Sequence, residues 1–331
     1  MSEISIKPNR LLLIDGHAMI FRAWYSIPER LSSKGVRTSV VFGFMSTLFK
    51  LISDHNPTHV IVTLDPKGPT FRHDIYPAYK ANRDPAPPEL IEQIPLLEKV
   101  IESMDIPIYS VEKYEADDVI GTITLISSEN DFQNLVVTGD KDLFQLISDK
   151  TNIWYSSPNP RSNDRLINEN TFTQEKDFAG LNPNRIPDYK GLSGDSSDNI
   201  KGIPGIGKKA ANVLLNEYNN LEDIYDNLDK ISELNIRGAK RIQSLLTEYK
   251  DEAFKSRELA TIVREVPIKL DLPESKFGSF NKQSVIKQLT ELELMSLVGR
   301  IPLAEGSGSR QANAAIDSSV EYRCVDSDSF L

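Results

Sequence analysis

The chain has 331 residues, of which 39% are hydrophobic and 26% charged, a globular composition that excludes collagen-like, coiled-coil and fully disordered classes. Its 38 basic and 48 acidic residues give a formal net charge of −10, and the single cysteine, Cys324, excludes an internal disulfide and a cysteine-based zinc site. No apolar run approaches the roughly 20 residues of a membrane span, so we expect a cytoplasmic protein without membrane contact.

The first half of the chain alternates between strand and helix patterns. Strands are predicted over residues 11–14, 59–64, 106–111, 135–138 and 153–155. Helices are predicted over residues 41–52, 90–104, 115–128 and 142–147, with Pro95 as a kink or a helix start. This rhythm predicts an α/β fold with a doubly wound, mostly parallel sheet over residues 1–180.

Strand patterns fade after about residue 171. Residues 181–300 are expected to form a second, helical subdomain, with helices over 208–218, 236–249 and 282–297. Residues 301–317 are small and polar, as in a flexible linker. Residues 318–331 contain one strand pattern without a partner, which suggests the truncated start of a following domain.

Acidic residues are concentrated where strands and helices begin or end. Carboxyl ends of parallel strands converge on one edge of a sheet, so these acids are expected to meet there. Crowded carboxylates raise each other's pKa, and oxygen-only ligands favour Mg²⁺ or Mn²⁺. Without these nine acids the formal net charge would change from −10 to −1. They are Asp15, Asp65, Glu115, Asp117, Asp118, Asp140, Asp142, Asp195 and Asp198.

Each acid also has a simpler interpretation. Asp15 and Asp142 could be turn residues or helix caps, and the acids near residue 115 could merely start a helix. Glu115 and Asp118 share one helix face, whereas Asp117 reaches the same site only if the helix points its end at it.

A basic and aromatic segment, FRHDIYPAYKANR, covers residues 71–83. Arg72, Lys80 and Arg83 alternate with aromatic residues such as Tyr76, a mixture that suits single-stranded nucleic acid. The alternative is a packed surface helix whose charged ends reach water.

A glycine-rich segment, GIPGIGKK, covers residues 202–209 and precedes a predicted helix. Gly202, Gly205 and Gly207 would let backbone amides face an anion, and Lys208 and Lys209 add positive charge. Together with the predicted helices it reads as a helix–hairpin–helix element near residues 190–218. A tight turn without a ligand is the alternative, and the segment lacks the GKS or GKT of a Walker loop.

Five motifs together resemble the 5′-nuclease (flap endonuclease-like) superfamily, in particular the N-terminal 5′→3′ exonuclease domains of bacterial DNA polymerase I. They are LLLIDG, LDPKGPTFRHDIYPAYKANR, YEADD, TGDKD and GLSGDSSDNIKGIPGIGKKA, in the order in which they occur. The similarity covers roughly residues 10–300. Lys201 and Lys209 depart from the pattern, which usually has Pro and Thr at these positions.

The resemblance implies a phosphodiesterase that removes 5′ flaps and RNA primers from DNA during replication and repair. Its implied partners are flapped, nicked or primer-containing RNA–DNA duplexes, and it would act as a nucleoid-associated bacterial monomer without a small-molecule cofactor. Two Mg²⁺ ions, replaceable by Mn²⁺, would be held by Asp65, Glu115 and Asp117 and by Asp140, Asp142 and Asp195, with Asp15, Asp118 and Asp198 as further ligands, directly or through water. Lys80 and Arg83 would contact the scissile phosphate beside the metal ligands Asp65 and Asp140.

The same resemblance implies a helical arch near residues 71–90 in which Tyr76 stacks on an unpaired base. It also implies duplex binding by the hairpin, with a monovalent cation such as K⁺ there. A DNA clamp without chemistry, a PIN-type ribonuclease and a Mg²⁺-dependent phosphatase are the alternatives. A phosphatase would need a second Asp two residues after an Asp near the first strand, but the residue two positions after Asp15 is His17.

Overall fold

The computed structural model describes residues 9–157 and 163–302. The predicted linker beyond residue 302, the predicted terminal strand and Cys324 lie outside the described residues.

A six-stranded sheet forms the centre of the first half. Its strands are β1 (Asn9–Asp15), β2 (His59–Thr63), β3 (Ile108–Tyr109), β4 (Phe132–Thr138), β5 (Thr151–Tyr155) and β6 (Arg165–Ile167). The order is β3-β2-β1-β4-β5-β6; the first five strands are parallel, and β6 pairs antiparallel with β5. The doubly wound sheet is therefore confirmed, and the strand that the patterns missed, β6, has three residues at its edge.

Fourteen α-helices are found in the described part of the chain. They are α1 (Gly16–Ser26), α2 (Ser39–His55), α3 (Phe71–Ile75), α4 (Pro88–Ile91), α5 (Ile94–Glu102), α6 (Ala116–Glu129), α7 (Glu169–Phe172), α8 (Ile186–Ser193), α9 (Lys208–Glu217), α10 (Leu221–Asp226), α11 (Ala239–Glu248), α12 (Lys250–Ala260), α13 (Lys282–Glu291) and α14 (Met295–Val298). Over these same residues, no helix is both long and apolar enough to cross a membrane.

Two predicted helices differ from what the structure forms. The helix predicted over 90–104 is divided into α4 and α5, because Pro95 fits only the first turn of a helix. Where an arch is predicted, near residues 71–90, the structure forms the short α3, a series of turns and the start of α4. Pro77 lacks a backbone N–H, and Lys80 has a φ of 54°, so neither residue continues a helix.

The sheet is covered on both faces, which explains its continuously apolar strands. Leu12 and Ile14 of β1 belong to the core that includes α2 and α5, whereas Leu11 and Leu13 belong to the core that includes α6 and α8. The second core extends without interruption into α9 and α11, so the helical subdomain shares its hydrophobic interior with one face of the sheet.

The last helices return to the sheet. The backbone nitrogen of Phe277 donates to the carbonyl oxygen of Thr58 at 2.9 Å, and α13 and α14 pack against α5 and α2. The helical unit expected over 181–300 is thus formed by α8 to α12, and its final segment belongs to the opposite face of the sheet.

Candidate active site

The carboxyl ends of β1 and β4 meet where the strand order reverses. Asp15 ends β1, and its Oδ1 accepts a hydrogen bond of 3.1 Å from the backbone nitrogen of Ala18, so it caps α1. Its Oδ2 accepts from the hydroxyl of Thr138, at the end of β4, at 2.7 Å. Burial raises the pKa of Asp15 to about 6 despite these two hydrogen bonds. Asp15 therefore combines a capping role with a place at the sheet edge.

The loop after β2 is joined to the start of α6. Asp65 Oδ1 accepts a hydrogen bond of 2.8 Å from the backbone nitrogen of Ala116, and the backbone nitrogen of Asp65 donates to His17 Nδ1 at 3.0 Å. Glu115 is the N-cap of α6. The N-terminal end of α6 therefore lies beside the acid that follows β2.

This placement of α6 brings Asp117 into the site, although it does not share a helix face with Glu115. Burial, followed by the charges of Asp140 and Asp15, raises the pKa of Asp117 well above its ordinary value. The N-terminal end of α6 points at the site, which is the orientation that Asp117 needs in order to join the other acids.

Asp118 turns away from the site, contrary to its prediction as a metal ligand. Its two oxygens accept hydrogen bonds of 2.7 and 2.8 Å from the guanidinium of Arg72, and further bonds from the backbone nitrogens of Glu115 and Val263. Asp118 and Arg72 are 0% and 2% exposed. The prediction that Arg72 contacts DNA is wrong for the same reason, since its charge is buried in this pair.

The turn after α3 places three side chains over Glu115 and Asp198. The hydroxyl of Tyr79 donates to Glu115 Oε2 at 3.1 Å and to Asp198 Oδ2 at 3.0 Å. Lys80 Nζ lies 2.7 Å from Glu115 Oε1, and Arg83 forms an ion pair with Asp198. Charge-assisted hydrogen bonds thus hold this turn against Glu115 and Asp198, which are distant from it in the sequence.

A second group of acids surrounds Lys190 of α8. Its ammonium contacts Asp142 and Asp195, and Asp140 Oδ1 accepts from the backbone nitrogen of Asp142 at 2.8 Å. Burial and the Asp140 charge raise the pKa of Asp142 to about 7, although Lys190 opposes them. Burial would also raise the pKa of Asp195, but Lys190 and hydrogen bonds from Ser197 lower it to about 2.

Charge interactions join these residues into one group, which we call the carboxylate cleft. Its acids are Asp15, Asp65, Glu115, Asp117, Asp140, Asp142, Asp195 and Asp198. The donors are hard oxygens, and burial together with neighbouring carboxylates raises the pKa of Asp15, Asp117 and Asp142, so the cleft suits divalent cations. In residues 9–157 and 163–302 no three acids already surround one metal position, since Lys80, Arg83 and Lys190 lie between them.

The glycine-rich segment forms the turn between α8 and α9. Gly205 is exposed with a φ of 94°, and Gly207 is the exposed N-cap of α9, beside the exposed Lys208 and Lys209. Gly202 is buried, and its amide donates to Ser256 Oγ at 3.1 Å. The prediction that Gly202 binds DNA is therefore wrong. A β carbon on it would lie 2.1 Å from the backbone nitrogen of Gly194, so this glycine serves close packing.

Two family models match consecutive parts of the chain. The 5′-3′ exonuclease N-terminal resolvase-like domain matches residues 10–177, and the 5′-3′ exonuclease C-terminal SAM fold matches residues 181–283. The chain belongs to the 5′-3′ exonuclease family. The nuclease function predicted from the motifs is confirmed.

Curated relatives of this 5′-3′ exonuclease are bacterial DNA polymerases I. The chain is 37% identical to the Bacillus subtilis protein over 315 residues, which are 95% of this chain and 34% of that protein. It is 34% identical to the Mycobacterium tuberculosis protein, covering 91% of this chain and 32% of that protein. The chain thus spans about a third of the length of these relatives.

Solved structures share the fold of the exonuclease. T5 5′-exonuclease with bound zinc matches with a TM-score of 0.61 and 20% identity, covering 87% of this chain and 100% of that one. The catalytic core of Rad2 in complex with a DNA substrate matches with a TM-score of 0.59 and 14% identity, covering 89% and 93%.

Two residues of the exonuclease site were not among the predicted site residues. Lys190 is one lysine in a helix without a motif of its own, and nothing in its spacing indicates that it faces two acids. Tyr79 stands in the predicted aromatic segment, but Tyr76 was the expected contact. The Tyr76 ring has the ammonium groups of Lys201 and Lys255 at 5.7 and 5.0 Å from its centre. Its stacking on a base stays a prediction, as does K⁺ at the hairpin.

Proposed function

We propose that this exonuclease is structure-specific and removes 5′ flaps and RNA primers from DNA duplexes with the help of two Mg²⁺ ions, which Mn²⁺ can replace. The observation that carries the proposal is the meeting of acids from β1, β2, β4, α6 and the loop after α8 in the carboxylate cleft.

The acids fall into two groups that would each hold one cation. Asp65, Glu115 and Asp117 form the first group. Asp140, Asp142 and Asp195 form the second, and Asp15 and Asp198 adjoin both. Bound divalent cations would supply a nucleophilic water at neutral pH and offset the charge that develops on the phosphate.

The chain's own side chains position the remaining groups. Lys80 and Arg83 carry positive charge at the mouth of the cleft and would bind the scissile phosphate on its exposed side. Tyr79 fixes Glu115 and Asp198 relative to each other through its hydroxyl. Thr138 does the same for Asp15, so the acids stay in place before a substrate arrives.

The substrate would be a duplex with an unpaired 5′ strand. The hairpin between α8 and α9 offers exposed lysines and glycines to a duplex backbone, and the aromatic residues near Lys80 suit the unpaired strand. The similarity to DNA polymerase I supports a further proposal, that the chain is the nuclease part of a longer polymerase. Residues 301–317 would then link the two parts.

The test is cleavage of a 5′-labelled flap duplex with Mg²⁺ and with EDTA, beside a single-stranded RNA control. We expect cleavage of the flap only with Mg²⁺. Asp65→Ala should lower the cleavage rate by roughly 1,000-fold, because several kcal/mol of charge stabilisation are lost, while flap binding persists. Asp74→Ala, at an exposed acid paired with Lys113, is the matched control and should cleave normally. Near-normal cleavage by Asp65→Ala would refute the assignment of that residue.

A further inference from the structure

Five basic residues near the hairpin form no ion pair within the described residues. Lys208 and Lys209 begin α9, and Arg237, Lys240 and Arg241 lie at the start of α11. All five are exposed, and over residues 9–157 and 163–302 none of them forms an ion pair. We call these five residues the hairpin patch.

The α11 part of the patch adjoins the hairpin directly. Arg241 Nη2 lies 3.6 Å from the point that a β carbon would occupy on Gly205, and Leu245 Cδ1 lies 3.1 Å from the same point. The exposed crest of the hairpin and the first turn of α11 are therefore contiguous.

The two parts of the patch are held on one rigid support. Ile242 and Leu246 of α11 are buried in the same core as Leu214 and Leu215 of α9, and the hairpin residue Ile206 is buried there too. The side chains on α9 and α11 can therefore engage one extended ligand together.

The charge of the patch is costly without a ligand. Like charges gathered on one surface repel each other, and positive side chains in the first turn of a helix oppose its macrodipole. Asp177 lies near Lys208 but already pairs with Lys141 at 2.6 Å. An external polyanion would supply the missing negative charge.

We infer that Arg237, Lys240 and Arg241 extend the DNA-binding surface of the hairpin and contact the backbone of duplex DNA. The inference rests on the proposed function and adds to it a second set of phosphate contacts. A duplex fits better than a single strand, because residues 237–248 (RGAKRIQSLLTE) include no aromatic side chain on which unpaired bases could stack. The contacts would be to phosphates, so they would not depend on base sequence.

The test measures the affinity of the full chain for a labelled blunt duplex in EDTA as a function of KCl concentration. In the triple variant Arg237→Gln, Lys240→Gln and Arg241→Gln, the plot of log affinity against log salt should become shallower by about 2.7, which is about 0.9 for each lost phosphate contact. Affinity should fall equally for duplexes of different sequence.

A matched variant removes the same charge elsewhere. Lys276→Gln, Lys282→Gln and Lys287→Gln change three exposed lysines on the segment that returns to the opposite face of the sheet. This control should keep the wild-type slope, and neither variant should melt below the wild type, since removing three like charges from the patch relieves repulsion. A triple variant with the slope of the control would overturn the inference.

Three other outcomes separate the possible failures. Loss of single-strand affinity as large as the loss of duplex affinity would overturn the assignment of the patch to duplex DNA. If the wild-type protein cleaves flaps and the triple variant keeps the wild-type affinity for duplex DNA, this inference alone is refuted. Wild-type protein that binds no duplex and cleaves no flap would refute the proposed function as well.

Discussion

The carboxylate cleft and the hairpin patch use positive charge in opposite ways. In the cleft, Lys80, Arg83 and Lys190 each contact a carboxylate. In the hairpin patch, residues such as Lys208 and Arg241 are exposed and form no ion pair within the described residues. The two regions are linked by α8 and the loop that follows it.

The difference shows why net charge is a poor guide to the ligand of this chain. The eight acids and three basic residues of the carboxylate cleft contribute −5 to the formal charge of −10, and we propose that metal ions balance this excess. The surface that would meet DNA is locally basic. Charge affects binding through its local arrangement, whereas the total mainly affects solubility and long-range attraction.

The largest expected effect concerns the buried pair beside the cleft. Arg72→Met would leave Asp118 buried without its counter-ion, and we expect a loss of about 3–5 kcal/mol in the free energy of unfolding. Urea unfolding followed by circular dichroism measures this loss.

The control for this experiment is Lys113→Met, which breaks an exposed pair with Asp74 and should cost less than about 1 kcal/mol. Adding Asp118→Asn to Arg72→Met should recover part of the stability, because the double variant no longer buries an unpaired negative charge. Equal stability of Arg72→Met and Lys113→Met would contradict the structural role of Arg72.

A smaller effect should distinguish cleft cations from patch cations. Lys80→Met should lower the cleavage rate constant by roughly 100-fold to 1,000-fold, because a group that stabilises the charged phosphate is lost. Lys208→Gln should leave that rate constant unchanged at saturating substrate and make the salt dependence of binding shallower by about 0.9. Single-turnover cleavage and duplex titrations separate the two. If both variants changed only binding, the cations of the cleft and of the hairpin patch would not differ in function as proposed.

The smallest effect is a pH dependence of stability in the absence of divalent ions. The pKa of Asp142 is raised from the ordinary 3.8 to about 7, so the folded chain binds this proton more tightly than the unfolded chain. The resulting stabilisation is present at low pH and is lost as pH rises through this window. Wild-type protein in EDTA should therefore lose stability relative to Asp142→Asn between about pH 4 and pH 7.

Thermal melts of the two proteins at several pH values check this expectation. Excess Mg²⁺ should reduce the difference, because cations bind the ionised carboxylate of the folded wild type. Wild-type protein that gained stability relative to the variant across the same pH range would contradict the raised pKa.

The fold could be predicted from the sequence because its strands are buried on both faces. The run HVIVT of β2 is buried throughout and apolar at its centre, and the helix that includes Phe44 and Leu48 has a clear helical period. β6 was missed because three residues at the sheet edge carry no such pattern. The prediction of a helical arch near residues 71–90 did not include the turns at Pro77 and Lys80, which separate α3 from α4.

The acids of the site could be predicted because parallel strands deliver their carboxyl ends to one edge. The partner of each acid could not be predicted, because a sequence does not show which way a side chain turns at the start of a helix. Asp117 and Asp118 are adjacent, yet one faces the cleft and the other pairs with Arg72. Lys190 was missed because its partners lie on another element and in the following loop.

The eight-residue helix α8 has a consequence for where the DNA is cut. It carries Lys190 at the cleft, and its end continues into a loop closed by paired bonds between Asp195 and Ile200 and by a bond from Ile203 to Leu192. The same loop leads into the hairpin, so a single short and firmly bonded connection would set the spacing between a duplex bound at the hairpin and the bond to be broken. In this exonuclease α8 and its loop would act as a molecular ruler, and changing their length should move the point of incision along the strand.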